Sequence, residues 1–572
     1  MKRHTLFSVL ILMITFLSIV SGIVSGTEAS STSMSTCESV SRADTSAAAA
    51  AMRSALCRLI EKGRLDDLEW PDFQNYREQV EQFYSVDNYA LGWVSGNRPT
   101  SEALGLIGLF QTSDRKGLLP RDYDATRWEP RLKAMATADP SSLDEKMAHF
   151  DLALTVSAMR YVSDLHNGRV SPAPFQLGLE AKEFDIPGFL RGQLLRATHV
   201  ETAVEEIEPP YGGYERTLRA YEHYLALANE GEGAPIPVPS FPLKAGDTYA
   251  GVAQLAERLQ RLGDLAQNAI LPSRANTYAG VLIAAVKHFQ ERHGLRRDGR
   301  LTQETYKQVV TPFSQRASQL QFTLERFRWL PTKLDPPLIV VNIPEFRLRA
   351  YDDHRVALTM KAIVGEAFDH QTPVFADRVE AVVFRPYWNV PESITKGELV
   401  AELKRHPGYL VGHGMQVVDS RGNVVAAERL NAKTLKGLEK GTLWLRQQPG
   451  PANALGLVKF VFPNQYGIYM HGTPETGLFS RARRDLSHGC IRVENPAALA
   501  AWVLRDDPAW ALPQVMAAMH DEDSISVKVP HAVAILILYG TAVVEKNGEV
   551  RFFNDVYGFD AALQTSLDHR HE

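Results

Sequence analysis

One cysteine of this 572-residue chain sits among residues that would make it react. It is Cys490 in Ser487-His488-Gly489-Cys490-Ile491-Arg492-Val493, and the stretch Tyr469-Met470-His471-Gly472-Thr473-Pro474 precedes it. A thiol is a poor nucleophile until an imidazole takes its proton, and the same imidazole can later protonate a leaving amine. Together they give a two-step acyl transfer. His471 ends an expected strand, and Gly472 leaves backbone room beside it for a substrate. His488 shares a face with Cys490 only where the chain is extended, so it is given a shaping role. Gly489 removes a side chain beside the nucleophile and lets backbone N–H groups around Gly489 and Cys490 face a developing oxyanion. Arg492 falls on the same side as Cys490 and suits a substrate carboxylate.

Two plainer readings compete. A lone cysteine in a β domain is most often a small buried hydrophobe, but the flanking Ser-His-Gly and the upstream His-Gly-Thr displace that reading. A zinc site built from His471, His488 and Cys490 needs a fourth ligand or an open water position. Asp485 could supply it, yet no His-x-x-x-His or Cys-x-x-Cys spacing supports a metal. Neither metal nor cofactor is expected.

The elements that position these residues change character along the chain. Lys2, Arg3 and His4 precede an uncharged apolar run from Thr5 to Thr27, the pattern of a secretory signal over residues 1–29, or of an uncleaved anchor. Residues 30–52 are a Ser/Thr/Ala-rich leader. Helical periodicity dominates residues 53–230, as in Phe73 to Phe83, Pro99 to Phe110, Lys146 to Leu165 and Tyr214 to Ala228. A Gly/Pro-rich linker leads to a compact unit over residues 243–312, with helices ended by Gly263 and Gly294. From residue 335 to 562 short strands prevail, beginning with Leu338-Ile339-Val340-Val341-Asn342-Ile343. Lys/Glu-rich text at about residues 392–445 interrupts them as an insertion over the site. The fold class is multidomain α+β: a helical scaffold, a three-helix module, and a mostly β, sandwich-like domain with a capping insertion.

Of three cysteines, Cys37 and Cys57 can pair near the mature N-terminus in an oxidising compartment, which leaves Cys490 as the free thiol. A formal net charge of −5 shows no polybasic signature, so nucleic acid is not an expected partner. Membrane contact is expected only through the signal or an uncleaved anchor.

Residues Leu255, Leu259, Leu262, Gly263, Val286, Phe289, Gln290, His293, Gly294, Leu295, Asp298, Gly299 and Thr305 make the three-helix unit resemble a peptidoglycan-binding module. The text "HGTPETGLFSRARRDLSHGCIRVEN" resembles the active-site signature of the YkuD-type L,D-transpeptidases. "VVNIPEFRLRAY", "FRPYWNVPESI", "LRQQPGPANALGLVKFVFPN", "FNDVYGFD" and "AMRYVSDLHNGRVSP" extend that likeness to the large periplasmic members. The resemblance implies Cys490 as nucleophile, His471 as its base, and the Gly472 carbonyl as the group that orients the imidazole. His488, Gly489, Ser487 and Arg492 fill the other motif positions, and Tyr387, Trp388, Arg446 and Asn464 are placed on the cleft wall, in packing or in substrate contact. It further implies a periplasmic enzyme, open to carbapenem acylation, that draws a donor tetrapeptide stem and the side-chain amine of an acceptor diaminopimelate into a 3→3 cross-link, with wall-synthesis proteins as potential partners. Hydrolysis of the same bond, as an L,D-carboxypeptidase or endopeptidase, uses the same residues. An inactive wall-binding scaffold is the alternative from another class.

Overall fold

The computed structural model describes residues 47–175, 182–271, 276–334, 336–353, 355–406, 408–428 and 430–570. The expected signal segment, most of the expected leader and Cys37 lie outside them. Cys57 is disulfide-bonded; the expected partner, Cys37, is not described. Among the described residues no helix is long and apolar enough to cross a membrane.

The first region is built round the helix Leu143–Asn167, whose side chains are buried almost all round from Met147 to His166. A helix of that kind must be enclosed by others. Ala47–Lys62, Ser101–Gln111, Trp128–Ala136 and Ile186–Gly192 supply the enclosure. Its buried Asp151 is tolerated because donors surround it, with Tyr84 Oη and Trp93 N–H both at 2.7 Å.

The three-helix unit follows as Val252–Arg261, Val281–Arg292 and Gln303–Val309. Thr302 caps the last of these by accepting from Thr305 N–H. Leu255, Leu259, Tyr278, Leu282, Val286, Phe289 and Leu301 form its own core.

A helix that the sequence reading leaves unassigned, Phe313–Trp329, joins the parts. Phe313, Ala317, Leu320 and Leu324 pack with Tyr221 and Tyr224 of the helix Gly212–Glu230 and with Ala542, Val544 and Phe552 of a C-terminal hairpin. The next turn brings Glu325 to the N–H groups of Arg169 and Val170, while Trp329 Nε1 donates to Val170 O at 3.0 Å. Near the other end of the chain Arg570 forks onto Asp164 and reaches Asp122, which also takes Arg169 at 3.3 Å.

The β domain holds a nine-stranded sheet among the described residues. Its order is Asp485–Ser487, Arg355–Gly365, Ile491–Val493, Met470–His471, Val458–Val461, Phe375–Phe384, Ile525–Leu538, Leu338–Asn342 and Arg347–Asp352. Arg347–Asp352 also pairs with Arg355–Gly365, so the sheet closes on itself. Strands alternate: Ile339, Val341, Leu348, Ala362, Val382, Phe460, Met470 and Ile491 share one core. The strand Ile525–Leu538 is irregular between Lys528 and Val533, and the separate strand Ala542–Val544 follows it.

The stretch read as an insertion interrupting the β pattern contributes, with its flanks, to a second, four-stranded sheet ordered Trp388–Asn389, Trp444–Gln447, Met415–Val418 and Val424–Ala426. Short helices, including Val400–Arg405 and Ala432–Lys440, complete it. Val390, Leu403, Leu410, Val417, Leu438 and Leu445 give it a core of its own. Sparse apolar residues among lysines and glutamates conceal that pattern in the sequence, because the sheet is covered on one face only.

Candidate active site

Register assembles the site. Met470–His471 runs parallel to Ile491–Val493, with Met470 opposite Ile491 and His471 opposite Arg492, and antiparallel to Val458–Val461, with His471 opposite Lys459. The Ile491 N–H donates to Tyr469 O at 3.1 Å, which carries the pairing back to Cys490. Side chains alternate, and paired residues share a face. Met470, Ile491 and Phe460 therefore enter the core, whereas Lys459, Tyr469, His471, Cys490 and Arg492 stand together on the other face.

Cys490 is the free thiol, half-buried at the head of its strand. Its loop is stitched by the Ser487 hydroxyl, which donates to Cys490 O at 2.6 Å and accepts from Gly489 N–H at 3.3 Å. Thr372 braces it from the loop between the strands Arg355–Gly365 and Phe375–Phe384, donating to Gly489 O at 2.7 Å and accepting from Gly365 N–H at 2.9 Å. Gly489 has φ of +106°, and a β-carbon there would meet Ile468 at 3.2 Å. No hydrogen bond engages the Cys490 N–H among the described residues, so it stands available to an oxyanion.

His471 is buried, and its Nδ1 donates to Gly472 O at 2.5 Å. That bond fixes the tautomer and leaves Nε2 as the basic nitrogen. Burial, then the charge of Arg492, pulls the imidazole down to about 3, against the carbonyl of Gly472. Burial pushes the Cys490 thiol up, against the backbone N–H and the hydroxyl of Tyr469 and the charges of Lys459 and Arg492. Both shifts favour a neutral thiol beside a neutral imidazole at rest, so proton transfer accompanies attack on a carbonyl.

Tyr469 and Lys459 were not singled out from the sequence. The Tyr469 hydroxyl hydrogen-bonds the Cys490 side chain and is itself bonded to the Trp388 side chain. Lys459 Nζ lies 3.9 Å from the centroid of the Tyr469 ring. The signal for it is a single cation inside the apolar strand Val458-Lys459-Phe460-Val461, on the face of His471.

The other expected residues divide. Trp388 reaches the site through Tyr469. Tyr387 and Arg446 meet each other, the guanidinium 4.8 Å from the ring centroid, and Arg446 also bonds Gln416. His488 is exposed, pairs with Glu398 of the inserted subdomain at 2.7 Å and lies 4.6 Å from the His370 ring. Arg492 is held by Glu475 at 2.5 Å. Asn464 is committed to its own loop, donating to Phe462 O and Ile468 O and accepting from the N–H groups of Tyr466 and Ile468. Among the described residues no group of three or more His, Cys, Asp or Glu side chains is placed to hold a metal.

The family model described as the L,D-transpeptidase catalytic domain, YkuD, matches residues 336–515 and covers every site residue named above. A scaffold domain model matches residues 78–220, and one described as "Putative peptidoglycan binding domain" matches residues 248–309. A Haemophilus influenzae protein named "Putative L,D-transpeptidase" is 32% identical over 225 residues, which is 39% of this chain and 45% of that one. The chain thus spans less than half the length of the curated relative it matches. The crystal structure of an L,D-transpeptidase from Xylanimonas cellulosilytica covers 53% of this chain and 100% of its own, at 17% identity and a TM-score of 0.17, too low to bear on the fold. On the sequence matches, the chain carries a YkuD L,D-transpeptidase catalytic domain, joined to a scaffold domain and a peptidoglycan-binding domain.

Proposed function

We propose that the protein is a peptidoglycan L,D-transpeptidase that forms 3→3 cross-links between peptide stems through an acyl-enzyme on Cys490. The observation that carries this reading is the shared sheet face of His471 and Cys490, with the Nε2 lone pair left free by the Nδ1 bond to Gly472. The sulfur bonds the carbonyl carbon of the third stem residue as the thiol proton passes to Nε2. The C–N bond to the terminal D-alanine breaks, and that proton leaves on the amine. The side-chain amine of a diaminopimelate in a second stem then attacks the thioester, gives its proton to His471 and releases the thiol. The Cys490 N–H receives the oxyanion in both halves.

The catalytic and peptidoglycan-binding domain matches support the substrate assignment, and a wall substrate supports a periplasmic location. Intact-protein mass spectrometry with meropenem tests the nucleophile: the native chain gains the adduct, Cys490→Ala does not, and His471→Ala gains it slowly. Tetrapeptide-bearing wall fragments test the transfer. Dimers support it; tripeptides alone assign hydrolysis; neither product, with no adduct, overturns the enzyme reading.

A further inference from the structure

Among the described residues, Lys459 stands on the face of Cys490 without an anionic partner. Arg492 is compensated by Glu475. Lys459 is half-buried, on a strand in the middle of the sheet, and takes part in no ion pair or hydrogen bond among the described residues. Half-burying an ammonium without an anion is unfavourable, and among the described residues no carboxylate pairs with it. The titratable and charged groups that the neighbouring strands bring to this face are Tyr469, His471, Cys490 and Arg492, with Lys528 and the Lys361–Glu494 pair on strands further out; His488, with Glu398 and His370, lies at the exposed end of the loop. Cys490 is the group among them that turns negative during the reaction.

We propose that Lys459 is the counter-cation of the Cys490 thiolate, a positioning residue that acts through Tyr469. Its ammonium lies against the Tyr469 ring, and the Tyr469 hydroxyl and backbone N–H both donate to the sulfur. A cation on the ring makes the phenol a stronger hydrogen-bond donor to a developing negative charge. Trp388 Nε1 bonds the same phenol oxygen, so the rotor is held from the side of the inserted sheet. Lys459 and Tyr469 keep their protons throughout; the thiol proton still goes to His471. The mutual influence of Lys459 and Cys490 runs both ways, since burial drains the ammonium while the cysteine opposes the loss.

This inference rests on the nucleophile assignment above, and alkylation separates the two. Iodoacetamide is uncharged, so its rate with Cys490 across pH reads the thiolate and not reagent binding. The full chain, Lys459→Met, Lys459→Arg and Tyr469→Phe are compared, with circular dichroism melting as the check on folding. Lys459→Met is expected to move the midpoint of the rate profile up by about one pH unit and to slow alkylation near neutral pH about tenfold. Lys459→Arg restores most of the rate, because it returns the charge; Tyr469→Phe shifts the profile in the same direction as Lys459→Met. A folded Lys459→Met whose profile superposes on the native one overturns the proposal, and a raised KM without a shifted profile reassigns Lys459 to a substrate carboxylate. A native Cys490 that alkylates with the expected dependence on Lys459, yet gains no carbapenem and makes no dimers, overturns the transpeptidase reading alone.

Discussion

His488 Nε2 meets the Glu398 carboxylate at 2.7 Å, which ties the loop bearing Cys490 to the inserted subdomain. Glu398 sits in a π-helical turn, Thr395–Leu399, and such turns recur where a helix serves a site. Both partners are exposed, so the pair contributes about 0.2–1 kcal/mol and is screened by salt. Glu398→Ala should slow carbapenem acylation about two- to fivefold at low salt without moving the melting temperature. The difference should vanish near half-molar salt, where native and variant rates converge.

Thr372 serves the nucleophile from a neighbouring segment. Replacing it with Val strands the Gly489 carbonyl and the Gly365 N–H, a cost of about 1–3 kcal/mol for each buried group left unpaired. Melting should fall by several degrees, and acylation should slow more than tenfold, with Thr372→Ser recovering most of both.

Gly489→Ala strains a backbone held at φ +106° and presses on Ile468. About 1–3 kcal/mol of strain is expected. The loop should relieve it by turning the Cys490 N–H away, so acylation should fall further than stability does. Stopped-flow acylation and thermal melting, run side by side, would reveal the opposite order.

His293 gives the pH dependence. It is buried between Phe289 and Phe552, its Nδ1 donates to Phe289 O, and Nε2 has no hydrogen-bond partner among the described residues. Burial, then Arg292 and Arg316, holds it well below the usual imidazole range. Below about pH 6.5 the unfolded chain binds a proton that the folded chain refuses, so this stability is present above 6.5 and lost as pH falls. The slope is at most about 1.4 kcal/mol per pH unit. His293→Phe keeps the stack and should flatten the acid limb of melting temperature against pH between 5 and 7.

Much of the site was legible because its chemistry is local. Ser487 to Arg492 and His471-Gly472 lie in two short runs, and period-two alternation puts Cys490 and Arg492 on one face without reference to the rest of the fold. Tyr469 and Lys459 were not legible as functional, since their meaning depends on register across three strands. Glu398 and Thr372 come from distant segments, and nothing in their own sequence surroundings marks them. The helix Phe313–Trp329 shows regular three- and four-residue spacing, but it falls between two recognisable units and belongs to neither. Asn464 has the composition of a cleft residue, yet the Pro463 to Gly467 turn needs its amide more than a ligand would.

That joining helix has a practical consequence for anyone who dissects the protein. Phe322 and Trp329 belong to the core of the β domain, although they precede its first strand, Leu338–Asn342. A fragment trimmed to start at that strand would lose two walls of its own interior and expose greasy surface in their place. The workable cut lies before Phe313, and even there the fragment would present Arg570 and Glu325 with their former partners missing. The boundary drawn by sequence matching and the boundary at which the polypeptide can be severed are therefore different places.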